Sequence, residues 1–500
     1  MVTTEVKIPL RSVPMERRTP VATLLIPAAT MAVLGLWGLG NRGLWGDEAT
    51  TWAAARRTPA ELWHLLQNLD AVHGLYYLLM HGVLALRADE LMLRLPSVLA
   101  MSWSAAVVAA IGARLAGPRV GLVAGMLFAV VPVVSLYAQE GRSYALVVAG
   151  AVTTTYFLVR GCETGQPRWW RLYALAAAAT ALLHAFALFL LPAHAATLLA
   201  ARARAREWRL WSLSAAFAVA VVAPIAWVAR SQGEAIAWIT VPGWDAVTRL
   251  VRAFAGPSGW IACVVLLLAA GALLAPRRRA LDVPRLSLAT VALPLLLVPP
   301  ALLIAVSQVQ PLYDQRYVLY ALPGLSLLVA SGIDRLTSLL LWHSAMLVAG
   351  ALVVSLVLGG QLGAQRFVRS SESRLDDLRP IAQVVRNDSK PGDAVLFLSG
   401  TRRKAAVAYP EAFAGLRDVA LAEPPGKSAT LSGTELPPSR LRDALSREQR
   451  VWLLDREDSD QRRVFRDAGE RVKQDVLSDL FHREAVERMH GGSVHLYVHN

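Results

Sequence analysis

HGLYYLLMHGVLALR, residues 73–87, decides how the rest of the chain is threaded. A membrane-spanning helix needs ~20 mostly apolar residues, with ~17–25 the working range. This run is shorter and carries His73 and His81, so it suits a helix lying at the membrane surface. Apolar runs of about spanning length flank it, at roughly 21–40, 95–115, 120–137, 144–160, 210–229, 259–275, 286–306, 317–333 and 341–360. Residues 172–200 are apolar with His184 near the middle, and read as one long helix or two short ones.

The arginines arbitrate. With a cytoplasmic N-terminus, 73–87 on the surface and 172–200 crossing twice, the basic clusters fall in cytoplasmic loops. These are Arg114 and Arg119, Arg160, Arg168 and Arg171, the arginines at 202–209 and 277–285, and Arg335. That is the positive-inside pattern. Letting 73–87 cross would put most of them outside. The expectation is a mainly α protein, a polytopic transmembrane helical bundle of about 11 spans with external juxtamembrane helices. Residues 1–20 form a cytoplasmic tail, 21–360 the membrane module with its first external loop at 41–94, and 361–500 an external domain.

Composition excludes an ordinary soluble enzyme. Of 500 residues 55% are apolar and 18% charged, against ~25% charged in soluble domains. The net charge of +14 sits in short loops between apolar runs, where membrane orientation accounts for it. No basic face with interleaved aromatics points to nucleic acid. Cys162 and Cys263 lie at the edges of apolar segments and indicate neither a disulfide framework nor a cysteine metal site.

This threading gathers acids on the outer face. In NRGLWGDEATTW, residues 41–52, Asp47 and Glu48 sit between Trp45 and Trp52, with Asp70 and His73 further on. Tryptophans favour the membrane interface, and carboxylates there are costly unless hydrated, paired or metal-bound. Such an acid suits a general base on a hydroxyl or a ligand for a divalent cation; an exposed acidic pair is otherwise plain solvated surface. In YAQEGRSYAL, residues 137–146, Glu140 and Arg142 form either a local ion pair or a site facing phosphate or sugar, since arginine's planar fork binds phosphate bidentately. In QPLYDQRYVLYALPG, residues 310–324, Arg316 and Tyr317 open a span on the side where orientation asks for no arginine. A phosphate head group is one reason for it, and snorkelling the plain one. His184 reaches this face only if 172–200 is two helices. The loop 230–258, with Glu234, Asp245, Trp238, Trp244 and Trp260, reads as a cover.

Taken in order, Trp45-Gly46-Asp47-Glu48-Ala49, Asp70 through Tyr77, Arg94-Leu95-Pro96-Ser97, Ala138-Gln139-Glu140-Gly141-Arg142 and Arg316-Tyr317 resemble the integral-membrane glycosyltransferases of the C-type fold. The nearest likeness is to the protein O-mannosyltransferase and lipid A aminoarabinose transferase group, in its actinobacterial form. It covers most of roughly the first 335 residues. The resemblance implies a polyprenyl-phosphate sugar donor, transfer with inversion at the extracytoplasmic face of the cell membrane, and an acidic base in the first external loop. Asp47 is the best match for that base, with Glu48 beside it and Glu140 as a second acid. Arg142, Arg316 and Tyr317 would hold the donor phosphate, and Asp70, His73, Tyr76 and Tyr77 would line the acceptor or sugar pocket. Asp47 and Glu140 are the residues for a divalent cation, Mg or Mn. Mannose is the preferred sugar, and the acceptor is a glycan, glycolipid or protein. The chain departs from the group at Val72-His73-Gly74, where relatives carry prolines, and at Gly141, where a bulkier residue is common. The rival is a lipid or polysaccharide transporter or flippase, which predicts mid-span charges and internal repeats; few such charges and no clear repeat are present.

After about residue 360 the pattern changes. AVLFLSG (394–400), VWLLD (451–455) and SVHLYVHN (493–500) read as buried strands, and 462–474 as a charged helix. The sum is a small α/β domain interrupted by a Pro/Gly/Ser-rich loop at about 421–440. Gly426-Lys427-Ser428 lacks the glycine spacing of a phosphate loop.

Overall fold

The computed structural model describes residues 19–232, 238–256, 258–273, 286–338, 344–456 and 467–500. Most of the N-terminal tail, Glu234, and the arginines at 277–279 and 285 lie outside these residues.

Helix α1 (Val21–Leu36) is followed by two short helices, α2 (Gly46–Ala55) and α3 (Pro59–Asn68). Thr58 and Glu61 close a reciprocal capping box at the start of α3, with Pro59 in its first turn. The deciding stretch folds as α4 (Gly74–Leu86), which buries Tyr76, Tyr77, Met80 and Leu84 and exposes Leu78, Leu79 and Leu86. One face packs on protein and the other looks outward. Then come α5 (Glu90–Ala116), α6 (Pro118–Val130), α7 (Pro132–Ala138) and α8 (Tyr144–Thr164). Residues 172–200 are two helices, α9 (Pro167–Leu183) and α10 (Leu190–Ala200), parted at His184 by a 3-10 turn over Ala185–Phe189. The module continues through α11 (Ala205–Ala229), α12 (Trp244–Ala255), α13 (Gly259–Gly271), α14 (Leu288–Val306), α15 (Leu322–Thr337), α16 (Ala345–Gly360) and α17 (Leu362–Phe367).

Among the described residues five helices are long and apolar enough to cross a membrane, or up to seven if each of two bent pairs counts as one span. About 11 spans were expected. The difference is local: apolar runs are cut by helix breaks, so apolar length does not become helix length. Pro132 bends α6 against α7 by 67°, and four further apolar helices have only 10–17 residues. Within the 230–258 loop α12 is amphipathic, with Ala246, Leu250 and Phe254 inward and Trp244 85% exposed, the form of an interfacial helix.

Small residues set the helix spacing, as expected where packing rather than hydrophobic collapse drives association. A Cβ at Gly332 of α15 would meet the Leu268 carbonyl oxygen of α13 at 1.7 Å. A Cβ at Gly121 of α6 would meet the Ala109 carbonyl oxygen of α5 at 2.3 Å.

The C-terminal portion opens with α18 (Leu378–Asp388) and strand β1 (Ala394–Phe397), followed by α19 (Lys404–Ala408), β2 (Arg417–Asp418), β3 (Leu421–Glu423), β4 (Thr434–Glu435), α20 (Pro438–Leu445), β5 (Arg450–Asp455), α21 (Ala468–Leu480), β6 (Phe481–Met489) and β7 (Gly492–His499). The sheet order is β2-β1-β5-β7-β6; β1 is parallel to β2 and β5, and β7 is antiparallel to both neighbours. The three predicted strands are therefore β1, β5 and β7. Of the helix expected over 462–474, the described part belongs to α21. Alternation along β5 divides its side chains: Val451 and Leu453 pack with α20 and α21, whereas Trp452 and Leu454 join the apolar cluster that runs on into the membrane module. The two parts thus share a core.

Replacing Gly332 by Ala should force α13 and α15 apart and cost about 1–3 kcal/mol, the usual range for overpacking. Thermal unfolding of the purified protein in detergent reads this out, and an unchanged midpoint would refute the close approach.

Candidate active site

The first functional motif is built around a buried ion pair. Glu48 and Arg94 are both fully buried. Arg94 donates through Nε to Glu48 Oε1 at 2.8 Å and through Nη2 to Oε2 at 2.6 Å. The same guanidinium donates to the carbonyls of Leu39, Arg42 and Gly43 at 2.9, 3.1 and 2.7 Å. Glu48 Oε1 also accepts the Gly141 N–H at 2.8 Å. Burial alone would raise the Glu48 carboxyl; the Arg94 charge and its hydrogen bonds outweigh it and bring the group down to about 2. Glu48, expected beside the base, is instead a clamp joining α2, α5, the 39–43 turn and the 140–142 turn. Gly141 is needed there, because a Cβ would strike Leu93 at 2.6 Å.

Successive residues on a helix point about 100° apart, so Asp47 faces another way. Its Oδ2 accepts from Arg316 Nη1 at 3.0 Å, and its side chain is 31% exposed. Arg316 sits against the rings of Tyr144, Tyr317 and Trp238, each 5.6 Å from its guanidinium carbon, and Asp314 stands 3.5 Å from its Nε. Arg142 is buried but loosely held, with Thr51, Tyr77 and His73 at 3.4–3.5 Å. Its Nε has no hydrogen-bond partner among the described residues. Contacts that long are weak for a charged donor.

Asp70 anchors the floor. It adopts a left-handed backbone at φ 59°, accepts the Tyr77 hydroxyl at 2.7 Å and stands 3.5 Å from His73 Nδ1. Burial works against its charged form, but His73, Arg142 and Tyr77 together hold its carboxyl below the ordinary range. Tyr76 is fully buried beside Tyr77, and its hydroxyl has no hydrogen-bond partner among the described residues. His184, at the break between α9 and α10, packs against His73 and Tyr317 with ring centroids 5.9 and 4.8 Å away. Asp47, Arg142, Arg316, Tyr317, Asp70, His73 and Tyr77 are therefore brought together. Trp45 and Trp52 are 6% and 7% exposed, core residues rather than an interfacial belt.

The C-terminal portion completes this arrangement. Trp45 offers no capping oxygen to α2; the Asp376 carboxylate supplies it, accepting the Gly46 N–H at 2.8 Å. Asp377 accepts the Gly43 N–H at 3.2 Å, and the Tyr409 hydroxyl accepts the Leu44 N–H at 2.8 Å. Glu140 pairs with Arg374 at 2.8 Å, and its carboxyl is raised by burial, with Arg374 opposing. Lys404, at the start of α19, is close enough to Asp47, Asp376, Arg142 and Asp70 to feel their charges, and burial pulls its ammonium below the usual lysine range.

Residues 74–227 match the family model of the dolichyl-phosphate-mannose-protein mannosyltransferases. The structure resembles ArnT from Cupriavidus metallidurans bound to undecaprenyl phosphate, with a TM-score of 0.61 and 13% identity over 94% of this chain and 97% of ArnT. The apo form of ArnT gives 0.61 and 13% over 95% and 98%. By fold the chain resembles ArnT over nearly its whole length. The oligosaccharyltransferase of Archaeoglobus fulgidus, in complex with Zn and sulfate, aligns at a TM-score of 0.48 and 11% identity over 86% of this chain and 67% of its own. No curated protein matches by sequence.

The two carboxylates expected to share Mg or Mn stand apart in role, Asp47 on Arg316 and Glu140 on Arg374. Among the described residues no three His, Cys, Asp or Glu side chains form a metal-binding group. Sequence reasoning missed Arg94, Arg374, Asp376 and Lys404. For Arg94, which opens the Arg-Leu-Pro-Ser motif, an arginine early in an apolar run is a usable signal.

Glu48→Gln leaves a buried guanidinium without its counter-ion and should cost about 3–5 kcal/mol. Because the Glu48 carboxyl is lowered from 4.5 to about 2 on folding, its contribution is present above 4.5 and fades as pH falls toward 2. Denaturation in detergent should show the wild-type advantage shrinking over that window. A difference independent of pH would exclude Glu48 as the titrating group.

Proposed function

We propose that the protein transfers a sugar, mannose being the preferred one, from a polyprenyl phosphate to an acceptor hydroxyl at the extracytoplasmic face of the membrane. The observation that carries this is the convergence of a part-exposed carboxylate, Asp47, with two arginines, Arg316 and Arg142, the Nε of the latter having no hydrogen-bond partner among the described residues. The structurally similar ArnT is known bound to undecaprenyl phosphate, and the matched family model is that of mannosyltransferases using a polyprenyl-type donor.

A glycosyl phosphate brings its own leaving group. The site then needs a base for the acceptor and fixed positive charge for the departing phosphate. Asp47 takes the acceptor hydroxyl proton as that oxygen bonds the anomeric carbon. The bond from that carbon to the phosphate oxygen breaks on the opposite face, which inverts configuration, and polyprenyl phosphate leaves with the electron pair. Arg142, Arg316 and Lys404 hold the phosphate charge, while Tyr317 and Tyr144 orient Arg316. Asp70 and Tyr77 position Arg142 and His73 beneath the sugar. Glu48 and Glu140 act through Arg94 and Arg374 as positioning residues.

Asp47→Asn should reduce transfer from polyprenyl-phosphate mannose by ~10²–10⁴-fold while retaining binding of undecaprenyl phosphate. Arg142→Gln should weaken that binding instead. Full activity in the Asp47 variant, measured on purified enzyme across a panel of polyprenyl-phosphate sugars, would remove it as the base.

A further inference from the structure

Beside Arg316, a cavity of about 240 Å³ opens between residues 238–242, the first turns of α12 and residues 313–315. Three neutral groups face it. Trp238 presents an indole that is 59% exposed. Tyr313 is 8% exposed, yet its hydroxyl has no hydrogen-bond partner among the described residues. The side-chain carbonyl of Gln315 is likewise buried and unpartnered. Burial pushes the Tyr313 phenol up to about 12, so it stays protonated and able to donate. Asp245, paired with Arg249, and Asp314 complete the polar wall.

The charges decide the ligand class. The charges at the cavity are matched, Asp245 by Arg249 and Asp314 by Arg316 at 3.5 Å, which favours a neutral ligand over an anion. A polyprenyl chain would strand the buried polar atoms, at the cost of unsatisfied hydrogen bonds. A neutral polyol satisfies every group: its hydroxyls accept from Tyr313 and donate to Gln315 and the carboxylates, while its C–H face stacks on Trp238. We infer that this cavity is a saccharide subsite that holds the acceptor. The inference rests on the transferase reading and deepens it, since it makes the acceptor a glycan-bearing molecule. Two features favour acceptor over donor sugar. The cavity opens at the surface, where Asp245 and Arg249 are well exposed, and the contacts of Arg142 are Thr51, Tyr77 and His73, none of which lines it. Yet Arg316, which follows Gln315 in the chain and meets Trp238, also holds Asp47 at 3.0 Å. One guanidinium thus separates the subsite from the base.

The test uses the purified full-length protein in detergent, with saturation-transfer NMR on α-mannobiose and, separately, binding of undecaprenyl phosphate and of a serine/threonine-rich peptide. The variants Tyr313→Phe and Gln315→Leu remove the Tyr313 hydroxyl and the Gln315 side-chain carbonyl, neither of which has a hydrogen-bond partner among the described residues. Each should weaken mannobiose binding about three- to tenfold, the equivalent of one hydrogen bond, with undecaprenyl phosphate affinity unchanged. Absent or unaltered mannobiose binding overturns the subsite. A parallel loss of undecaprenyl phosphate affinity assigns the cavity to the donor and also overturns it, as does peptide binding that the variants abolish. If wild type binds mannobiose but not undecaprenyl phosphate, the subsite stands and the donor reading falls.

Discussion

The Glu48–Arg94 ion pair is the constraint on which the rest of the site depends. Two charges removed from water are tolerable only when geometry is good and the remaining polar atoms are satisfied. Here Arg94 makes two contacts to the carboxylate and three to carbonyls, and the carboxylate adds the Gly141 N–H. One fork thereby fixes the relative positions of α2, α5 and two turns. Asp47 and Arg142, to which the proposed function gives the chemistry, are immediate neighbours of residues in that clamp. Their placement follows from a contact in which neither takes part.

A second constraint comes from more than 300 residues further along the chain. The start of α2 is capped by Asp376, and the turn before it is held by Asp377 and Tyr409. A carboxylate at a helix N-terminus also meets a favourable dipole. The C-terminal portion is therefore part of the scaffold of the candidate site. Its β1 strand leads into α19 and sets Lys404 near Asp47, consistent with the general placement of functional groups beyond the carboxyl ends of parallel strands.

The helical module permits this by being irregular. The break at His184 gives an aromatic cluster with His73, Tyr144, Tyr317 and Phe186, and the 3-10 turn before α15 turns Arg316 toward Asp47. Backbone irregularity at membrane depth is tolerated where it is buried in protein, and it costs helix length. The same features that build the site lower the number of helices that satisfy a length criterion for spanning.

Composition and run length alone established a polytopic helical membrane protein with an α/β tail, because apolar length and strand alternation are local properties. The motifs around Asp47, Asp70, Arg142 and Arg316 were also legible, since charge at the mouth of an apolar run stands out without any fold. Glu48 and Asp47 were indistinguishable in sequence: two adjacent acids differ only in the direction a helix turns them, and one met Arg94 while the other met Arg316. Glu140 was visible as an acid, but its partner Arg374 lies 234 residues away, beyond any spacing rule. What the tertiary structure decided was pairing. Which charges meet, and which neutral polar atoms line a cavity, are set by contacts across the chain, and no local pattern encodes them.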